Sequence, residues 1–263
     1  MITSLHSPHV EAVRALLGSR GVKERRERGQ YVIESVQNIK AALASTETEI
    51  ETIFYTQEGL ERLGSFSHPN LMEVSPQVMK AMTDTVSPQG VLAVAKRKKR
   101  NLAELKEIKN GKFAYFWQIQ DPGNAGTIIR TADAFGFDAV IFSDSSVDIF
   151  SPKVIRSTAG SFWQIKVLDE VAVEEIKDFA KSSSSGLYAT KADGSMTLSE
   201  AARESIGRSS IWIFGNEARG LPIEVESILE AKAVSIPMAG KTESLNLAAA
   251  ASVVMYAVSN AAK

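Results

Sequence analysis

The sequence predicts two α/β domains: a small layered α/β/α one in the first hundred residues, and a larger one built on a mainly parallel sheet. Three observations carry this. Short apolar runs alternate with helix-spaced segments along the whole chain. Beyond residue 110 the runs are apolar without alternation, the pattern of strands buried on both faces. Between the halves, Lys96-Arg97-Lys98-Lys99-Arg100 breaks the pattern, ending one domain at residue 100 and opening a linker over 101–110, with the second domain at 111–263. With 263 residues and 44% apolar content, the chain can bury two cores.

In the first domain, Val10, Val13, Leu16 and Leu17 predict an amphipathic helix over 9–17. Lys23 to Arg28 is a charged stretch with no predicted element. Strands are expected at 31–33, 50–55, 71–74 and 91–95, and helices at 36–44, 58–63 and 77–82. The basic run at 96–100 reads equally as solvated charge and as an RNA contact. In the second domain, strands are expected at 113–117, 139–142, 186–189, 211–214 and 233–236. Helices are expected at 127–135, 153–158, 173–181, 223–230 and 245–261, with Ser182 to Ser185 a short flexible connection.

Composition narrows the chemistry. The net charge is −1, but residues 1–100 carry 14 Lys and Arg against 11 Asp and Glu, and residues 101–263 carry 16 against 20. Attraction to phosphate is therefore expected from the first half. There is no cysteine, which excludes disulfides, thiolate nucleophiles, Cys-ligated zinc and iron–sulfur clusters. The three histidines, His6, His9 and His68, all lie early, so chemistry in the second half runs without imidazole. The N-terminus has no basic patch followed by an apolar run, so no signal peptide is expected. The uncharged stretch from Ser244 to Ala262 barely reaches spanning length and reads as a buried or interface helix. A cytoplasmic protein is expected.

Ligands of a parallel sheet sit at the C-terminal strand ends, and three of these ends share an unusual composition. Asp121-Pro122-Gly123-Asn124-Ala125-Gly126 follows the first strand and leads into a helix, where glycines allow close backbone approach and the helix start favours an anion. On that helix Ile128, Ala132 and Phe135 form one stripe, and Arg130 lies about 200° round the axis from Ile128, facing away from the sheet. Arg130 there suits a phosphate or a partner subunit; an exposed arginine without a task fits the spacing equally. Gly215-Asn216-Glu217-Ala218-Arg219-Gly220-Leu221-Pro222 comes second. Glu217 can accept from a ribose hydroxyl or meet a cation, or the segment is a helix-capping turn with solvated charges. The third runs from Ile236 to Leu247. Ser244 reads as the N-cap of the last helix, which leaves room for a second role, and Asn246 as a buried amide satisfied by protein or by ligand. The chain has neither a Gly-x-Gly-x-x-Gly dinucleotide fingerprint after the first strand nor a Walker A pattern.

Together these segments resemble the signature motifs of the SpoU/TrmH RNA 2′-O-ribose methyltransferases, of the SPOUT superfamily. Asp121-Pro122-x-Asn124-x-Gly126-x-x-x-Arg130-x-Ala132-x-x-Phe135-Gly136 resembles the first motif. Gly215-Asn216-Glu217 with Gly220-Leu221 is similar to the second, and Ile236-Pro237-Met238 with Ser244-Leu245-Asn246 to the third. Ser151-Pro152-Lys153 through Arg156 to Ser161 resembles the loop between the first two. The likeness covers about residues 111–263, and the first hundred resemble the RNA substrate-binding domain, of ribosomal-protein type, that precedes this catalytic domain. Departures are Glu34-Ser35 where Glu-Gly is common, Ala218 where Gly is frequent, and Leu247-Ala248 where Val-Ser is frequent.

The resemblance implies a deep trefoil knot in the second domain and S-adenosylmethionine as cofactor, held near Gly215, Ile236 and Leu245, with Thr190 at the end of strand 186–189 a further candidate. It places Asn124, Arg130, Glu217, Ser244 and Asn246 at the catalytic centre. It implies a homodimer, with helix 245–261 suited to the interface, ribosomal RNA as the partner, and neither metal nor membrane. RNA contacts are expected from Arg25, Arg26, Arg28, Lys153 and Arg156. Because guanidinium stays protonated, Arg130 is expected to position substrate and stabilise charge, with a phosphate or Glu217 assisting proton loss. The alternatives are a tRNA ribose methyltransferase, an enzyme of the same fold acting on a base nitrogen, and a non-catalytic RNA-binding protein of the same fold.

Overall fold

The computed structural model describes residues 1–18, 20–242 and 244–262. In chain order the first elements are α1 (Pro8–Leu17), α2 (Gly21–Arg28), β1 (Gln30–Glu34), α3 (Val36–Ala44), β2 (Ile50–Tyr55), α4 (Gln57–Leu63), β3 (Leu71–Glu73), α5 (Pro76–Ala81) and β4 (Val91–Lys96). Next come β5 (Lys112–Phe116), α6 (Pro122–Ala134), β6 (Ala139–Ser143), α7 (Pro152–Ser157), β7 (Lys166–Val171), α8 (Val173–Ser183) and β8 (Gly186–Thr190). The last are β9 (Met196–Thr197), α9 (Leu198–Glu204), β10 (Ser210–Phe214), α10 (Ile223–Leu229), β11 (Lys232–Ser235) and α11 (Leu247–Asn260).

Two compact units result. The first comprises residues 1–98 together with 148–164; the second comprises 99–147 and 165–263. The first unit's main run ends at residue 98, and residues 148–164, expected in the second domain, group with it. Residues 101–110 are not a bare linker either. Asn101 and Glu104 form a capping box over a short 3-10 helix, Leu102–Leu105, and Leu105 is fully buried in the second unit's core.

In the first unit, four strands are ordered β1-β4-β2-β3, with β1 and β2 antiparallel to β4 and β3 parallel to β2. Val10, Val13 and Leu16 of α1 bury on Val32, Phe54, Leu92 and Val94 of the sheet. The charged stretch 23–28 is helical within α2. No apolar stripe announces it; Glu24–Arg28 at 2.9 Å and Lys23–Glu27 at 3.6 Å support it as i,i+4 pairs, and Gly29 ends it at φ 62°.

The second unit holds seven strands in the order β7-β6-β5-β10-β8-β11-β9, every pair parallel. Strand β7 is not expected from the sequence because Asp169 and Glu170 interrupt its apolar pattern, and Glu170 sits at φ 58° where the register against β6 shifts. Alternate side chains of the central strands face opposite cores. Phe113, Tyr115, Ile141, Ile211 and Ile213 pack with Ile176 and Phe179 of α8 and Leu229 of α10. On the other parity Phe116 stacks on Phe214 at 4.6 Å and Tyr188 on Trp212 at 4.7 Å. Each such ring pair adds about 0.5–1.5 kcal/mol beyond burial. Helix α11 packs against α6 and α9. After β8 the chain passes so close to β11 that a Cβ on Gly194 would lie 2.4 Å from the Val234 carbonyl carbon, which only glycine permits.

Candidate active site

Because the sheet is parallel, the loops after β5, β8, β10 and β11 open at one edge. Three of them meet there. Asp121 caps α6 by accepting from the Asn124 N–H at 2.7 Å, so the helix starts at Pro122, five residues before its expected start, and Asn124 lies in its first turn. The Asn124 Nδ2 donates to Glu217 Oε1 at 3.3 Å, and Asn246 Nδ2 donates to Asn124 Oδ1 at 3.3 Å. Glu217 also accepts from the backbone N–H groups of Gln120 and Asp121, each at 3.4 Å. A carboxylate is thus held over the start of a helix by an amide and two main-chain donors. All these bonds are long, so they orient Glu217 without saturating its oxygens.

The surrounding loops are braced. Asn216 pairs with Gly220 by two main-chain bonds of 3.0 and 2.9 Å, and its Oδ1 accepts from the N–H groups of Ala218 and Arg219. Its Nδ2 donates to the Gln118 carbonyl at 2.7 Å, tying the β10 loop to the β5 loop. Gln118 has φ 50°, and Gln120 Nε2 bridges the carbonyls of Gln118 and Ser145. Sequence reasoning places Asn216 in a motif without giving it a role, and it passes over Gln118 and Gln120. Asn216 carried a signal, an Asn directly before Glu217 in a glycine-bracketed loop, whereas the two glutamines carried none.

Three of the five expected catalytic residues are therefore brought together: Asn124, Glu217 and Asn246. Arg130 is exposed on α6, as its helical offset predicted, six residues or roughly 9 Å along the axis from Asn124. It joins no hydrogen bond or ion pair among the described residues. Ser244 is exposed and makes no hydrogen bond among them. The cap of α11 is Asn246, whose Oδ1 accepts from Ala248 and Ala249 N–H. The expectations that Ser244 caps this helix and that Asn246 is buried are corrected: Asn246 is exposed and takes the extended backbone that a cap requires.

Of the expected cofactor residues, Thr190, Gly215 and Ile236 stand at or just after the ends of the neighbouring strands β8, β10 and β11. The Thr190 hydroxyl donates to the Ile213 carbonyl at 3.0 Å, leaving it only acceptor capacity. Gly215 lies against the Gly220 backbone, where a Cβ would come within 2.3 Å of a carbonyl carbon. Leu245 and Met238 are large apolar side chains exposed at 40% and 37% on the β11 loop.

The expected RNA contacts divide. Arg25 is buried, 4% exposed, with Nε 2.7 Å from Asp148 Oδ2 and Nη1 donating to the Leu16 carbonyl. It joins 148–164 to α2 and is corrected from an RNA contact to an internal ion pair, since a buried guanidinium cannot reach phosphate. Arg156 bridges the carboxylates of Glu34 and Asp84 and is likewise committed to the fold. Burial holds the Glu34 carboxyl above its ordinary range, with Arg156 opposing part of that rise. Arg26, Arg28 and Lys153 are exposed. Members of the basic run at 96–100 face carboxylates: Lys96 on Glu49, Lys98 on Glu47, Lys99 on Glu170 and Arg100 on Glu104. Among the described residues no group of three or more His, Asp or Glu is placed to hold a metal ion.

Residues 112–256 match the SpoU rRNA Methylase family, and residues 7–93 match the MRM3-like substrate binding domain. The chain belongs to the SpoU rRNA methylase family. It is 32% identical to an uncharacterized tRNA/rRNA methyltransferase of Synechocystis, covering 97% of this chain and 92% of the relative. It is 30% identical to the 23S rRNA (guanosine(2553)-2′-O)-methyltransferase RlmP of Bacillus subtilis, covering 89% and 90%. The AdoMet-bound rRNA methyltransferase of Sinorhizobium meliloti superposes with a TM-score of 0.85 at 28% identity, covering 98% of this chain and 96% of that one. The α/β fold and its seven-stranded sheet are those of the SpoU methyltransferases.

Proposed function

We propose that this SpoU-family chain transfers a methyl group from S-adenosylmethionine to a ribose 2′-hydroxyl of ribosomal RNA. The observation that carries the reading is the joined set Asn246–Asn124–Glu217, drawn from three loops at the ligand-binding edge of the sheet. The cofactor fits the strand ends. Residues 237–242, 244 and 245 make no hydrogen bond to other groups among the described residues, which leaves backbone there to meet a ligand, and Met238 and Leu245 offer exposed apolar surface. When bound, S-adenosylmethionine supplies a methyl on a good leaving group, so the protein's task is alignment and removal of the hydroxyl proton.

Glu217 carries that task. Ionised, it is purely an acceptor, and it has capacity left for a ribose hydroxyl. Asn124 fixes its orientation, and Asn246 fixes Asn124. Arg130, with no carboxylate partner among the described residues, binds the phosphate beside the target ribose and steadies the oxygen's developing charge. The chain works as a homodimer: Ala249, Val253 and Tyr256 form an exposed stripe on α11, and Val253 and Tyr256 are 40% and 58% exposed. A site completed by Arg130 of a second copy fits its outward face. The close crossing at Gly194 fits the knot that the resemblance implies. No helix among the described residues is long and apolar enough to cross a membrane.

The test is to map ribose methylation in RNA from a strain lacking the gene and to restore the lost mark with purified protein and S-adenosylmethionine. Loss of one 2′-O-methyl group from large-subunit ribosomal RNA is expected. A mark lost from tRNA instead would transfer the substrate, and a mark lost from a base would refute ribose chemistry. No lost mark, with no S-adenosylmethionine binding in calorimetry, would leave a non-catalytic RNA binder.

A further inference from the structure

We infer that Arg219 is a second phosphate-binding residue, gripping the RNA backbone next to the nucleotide presented to Glu217; this rests on the proposed methyltransferase reading. Arg219 stands two residues from Glu217 in the β10 loop, in a half of the chain with more acidic than basic residues. Three lysines of that half, from α8 and from the β8 and β11 segments, are held by carboxylates. Lys177 pairs with Glu230 at 2.7 Å, Lys191 with Glu226 at 2.9 Å and Lys232 with Glu204 at 2.6 Å. Arg219 is exposed and has no carboxylate partner among the described residues.

Its backbone, by contrast, is fixed. The Arg219 N–H donates to Asn216 Oδ1 at 3.2 Å, the Asn216–Gly220 bridge closes the loop behind it, and Gly220 at φ 65° makes the turn. The Asn216 amide anchors the whole loop to the Gln118 carbonyl. A guanidinium displayed from a braced loop loses little backbone freedom on meeting an anion, and its planar fork matches two phosphate oxygens. Arg130 faces outward from α6, on the first of the three loop-bearing segments. With Arg130 of a second copy at the phosphate beside the target ribose, a strand of RNA crossing this edge would be held at two separate cations, with that ribose at Glu217. The same charge could instead meet the carboxylate of S-adenosylmethionine, an outcome the experiment separates.

The probe is an unmethylated 23S ribosomal RNA transcript, titrated with the full-length protein from 50 to 300 mM KCl, alongside calorimetry with S-adenosylmethionine. For Arg219→Gln the RNA Kd is expected to rise roughly five- to tenfold near 0.1 M salt, and the salt slope to become shallower by about one. Arg219→Lys should recover most of the slope, because charge alone sets that quantity. In methyl transfer, KM for RNA should rise while kcat stays within about twofold. Affinity for S-adenosylmethionine should be unchanged. Unaltered RNA affinity and slope in Arg219→Gln would overturn the inference, as would a loss confined to S-adenosylmethionine. If wild type transfers methyl while the slopes coincide, only this inference fails. If the slopes differ but no RNA is methylated, the inference stands as an RNA contact and the methyltransferase reading fails.

Discussion

Replacing Asn124 by Asp isolates the contact on which the proposed chemistry depends. The two side chains have nearly the same shape, so the substituted carboxylate can still accept from Asn246. What changes is the group 3.3 Å from Glu217 Oε1: a donor becomes a carboxylate oxygen. Two unit charges at that separation repel by about 1.3 kcal/mol at the dielectric of water and about 5 kcal/mol at an effective value of 20. Because Glu217 is exposed, the lower part of that range applies, about 1–2 kcal/mol, and the lost charge-assisted bond adds a similar amount. Together about 2–4 kcal/mol of positioning disappears, which is roughly a 30- to 1,000-fold fall in kcat. The fold should not suffer, since an acid in the first turn of α6 gains about 0.3–1 kcal/mol from the helix dipole. Methyl transfer at saturating cofactor and RNA is the assay, with thermal unfolding and S-adenosylmethionine calorimetry as controls. Turnover of Asn124→Asp within threefold of wild type would show that Asn124 does not orient the group that takes the proton.

Two further outcomes follow from the ion pairs. Arg25→Met leaves Asp148 buried without its partner and should cost about 3–5 kcal/mol in denaturant unfolding, while the double variant Arg25→Met/Asp148→Asn recovers at least a third of that; additive effects would mean the pair is not coupled, and RNA affinity measured below the unfolding transition should not change. Lys232, and after it Tyr188, hold the Glu204 carboxyl below its usual 4.5. Its folded value being the lower one, its stabilising contribution is present above about pH 4.5 and fades as pH falls through the depressed value. The Tm gap between wild type and Glu204→Gln should therefore be present at pH 7 and close in acid; a gap that is the same at pH 3 and pH 7 would contradict this.

What could be read from sequence was what local pattern determines. Helix α3 and strand β2 fall on their expected boundaries, because Val36 to Ala44 and Ile50 to Tyr55 each carry one clear period between polar breaks. Helix α2 did not show, since its only buried positions are Gly21 and Arg25 and its support comes from paired charges. Long-range placement was hidden as well. Arg25 meets Asp148 123 residues away, and nothing in the spacing of either announces it. At the site, order and residue type identified Asn124, Glu217 and Asn246, which lie 93 and 122 residues apart where they touch. Helical pitch was enough to turn Arg130 outward. Pitch could not choose between Ser244 and Asn246 as the cap of α11, because that choice rests on the backbone angles of a loop.

The place of β10 in the sheet bears on how the protein comes into being on the ribosome. It lies between β5 and β8, yet its residue Ser210 pairs with Lys112, about 100 residues earlier. At roughly 5–20 residues per second, the inner edge of β5 waits about 5–20 s for its neighbour to be synthesised. Through that interval a strand whose residues 113–116 are all buried in the finished fold offers an unpaired row of amides and carbonyls, the arrangement most open to wrong partners. Pairing so distant in sequence also makes for slow closure. The loop bearing Glu217 emerges only with β10, and Asn246 later still, so a nascent chain has no assembled centre until its final helix is made.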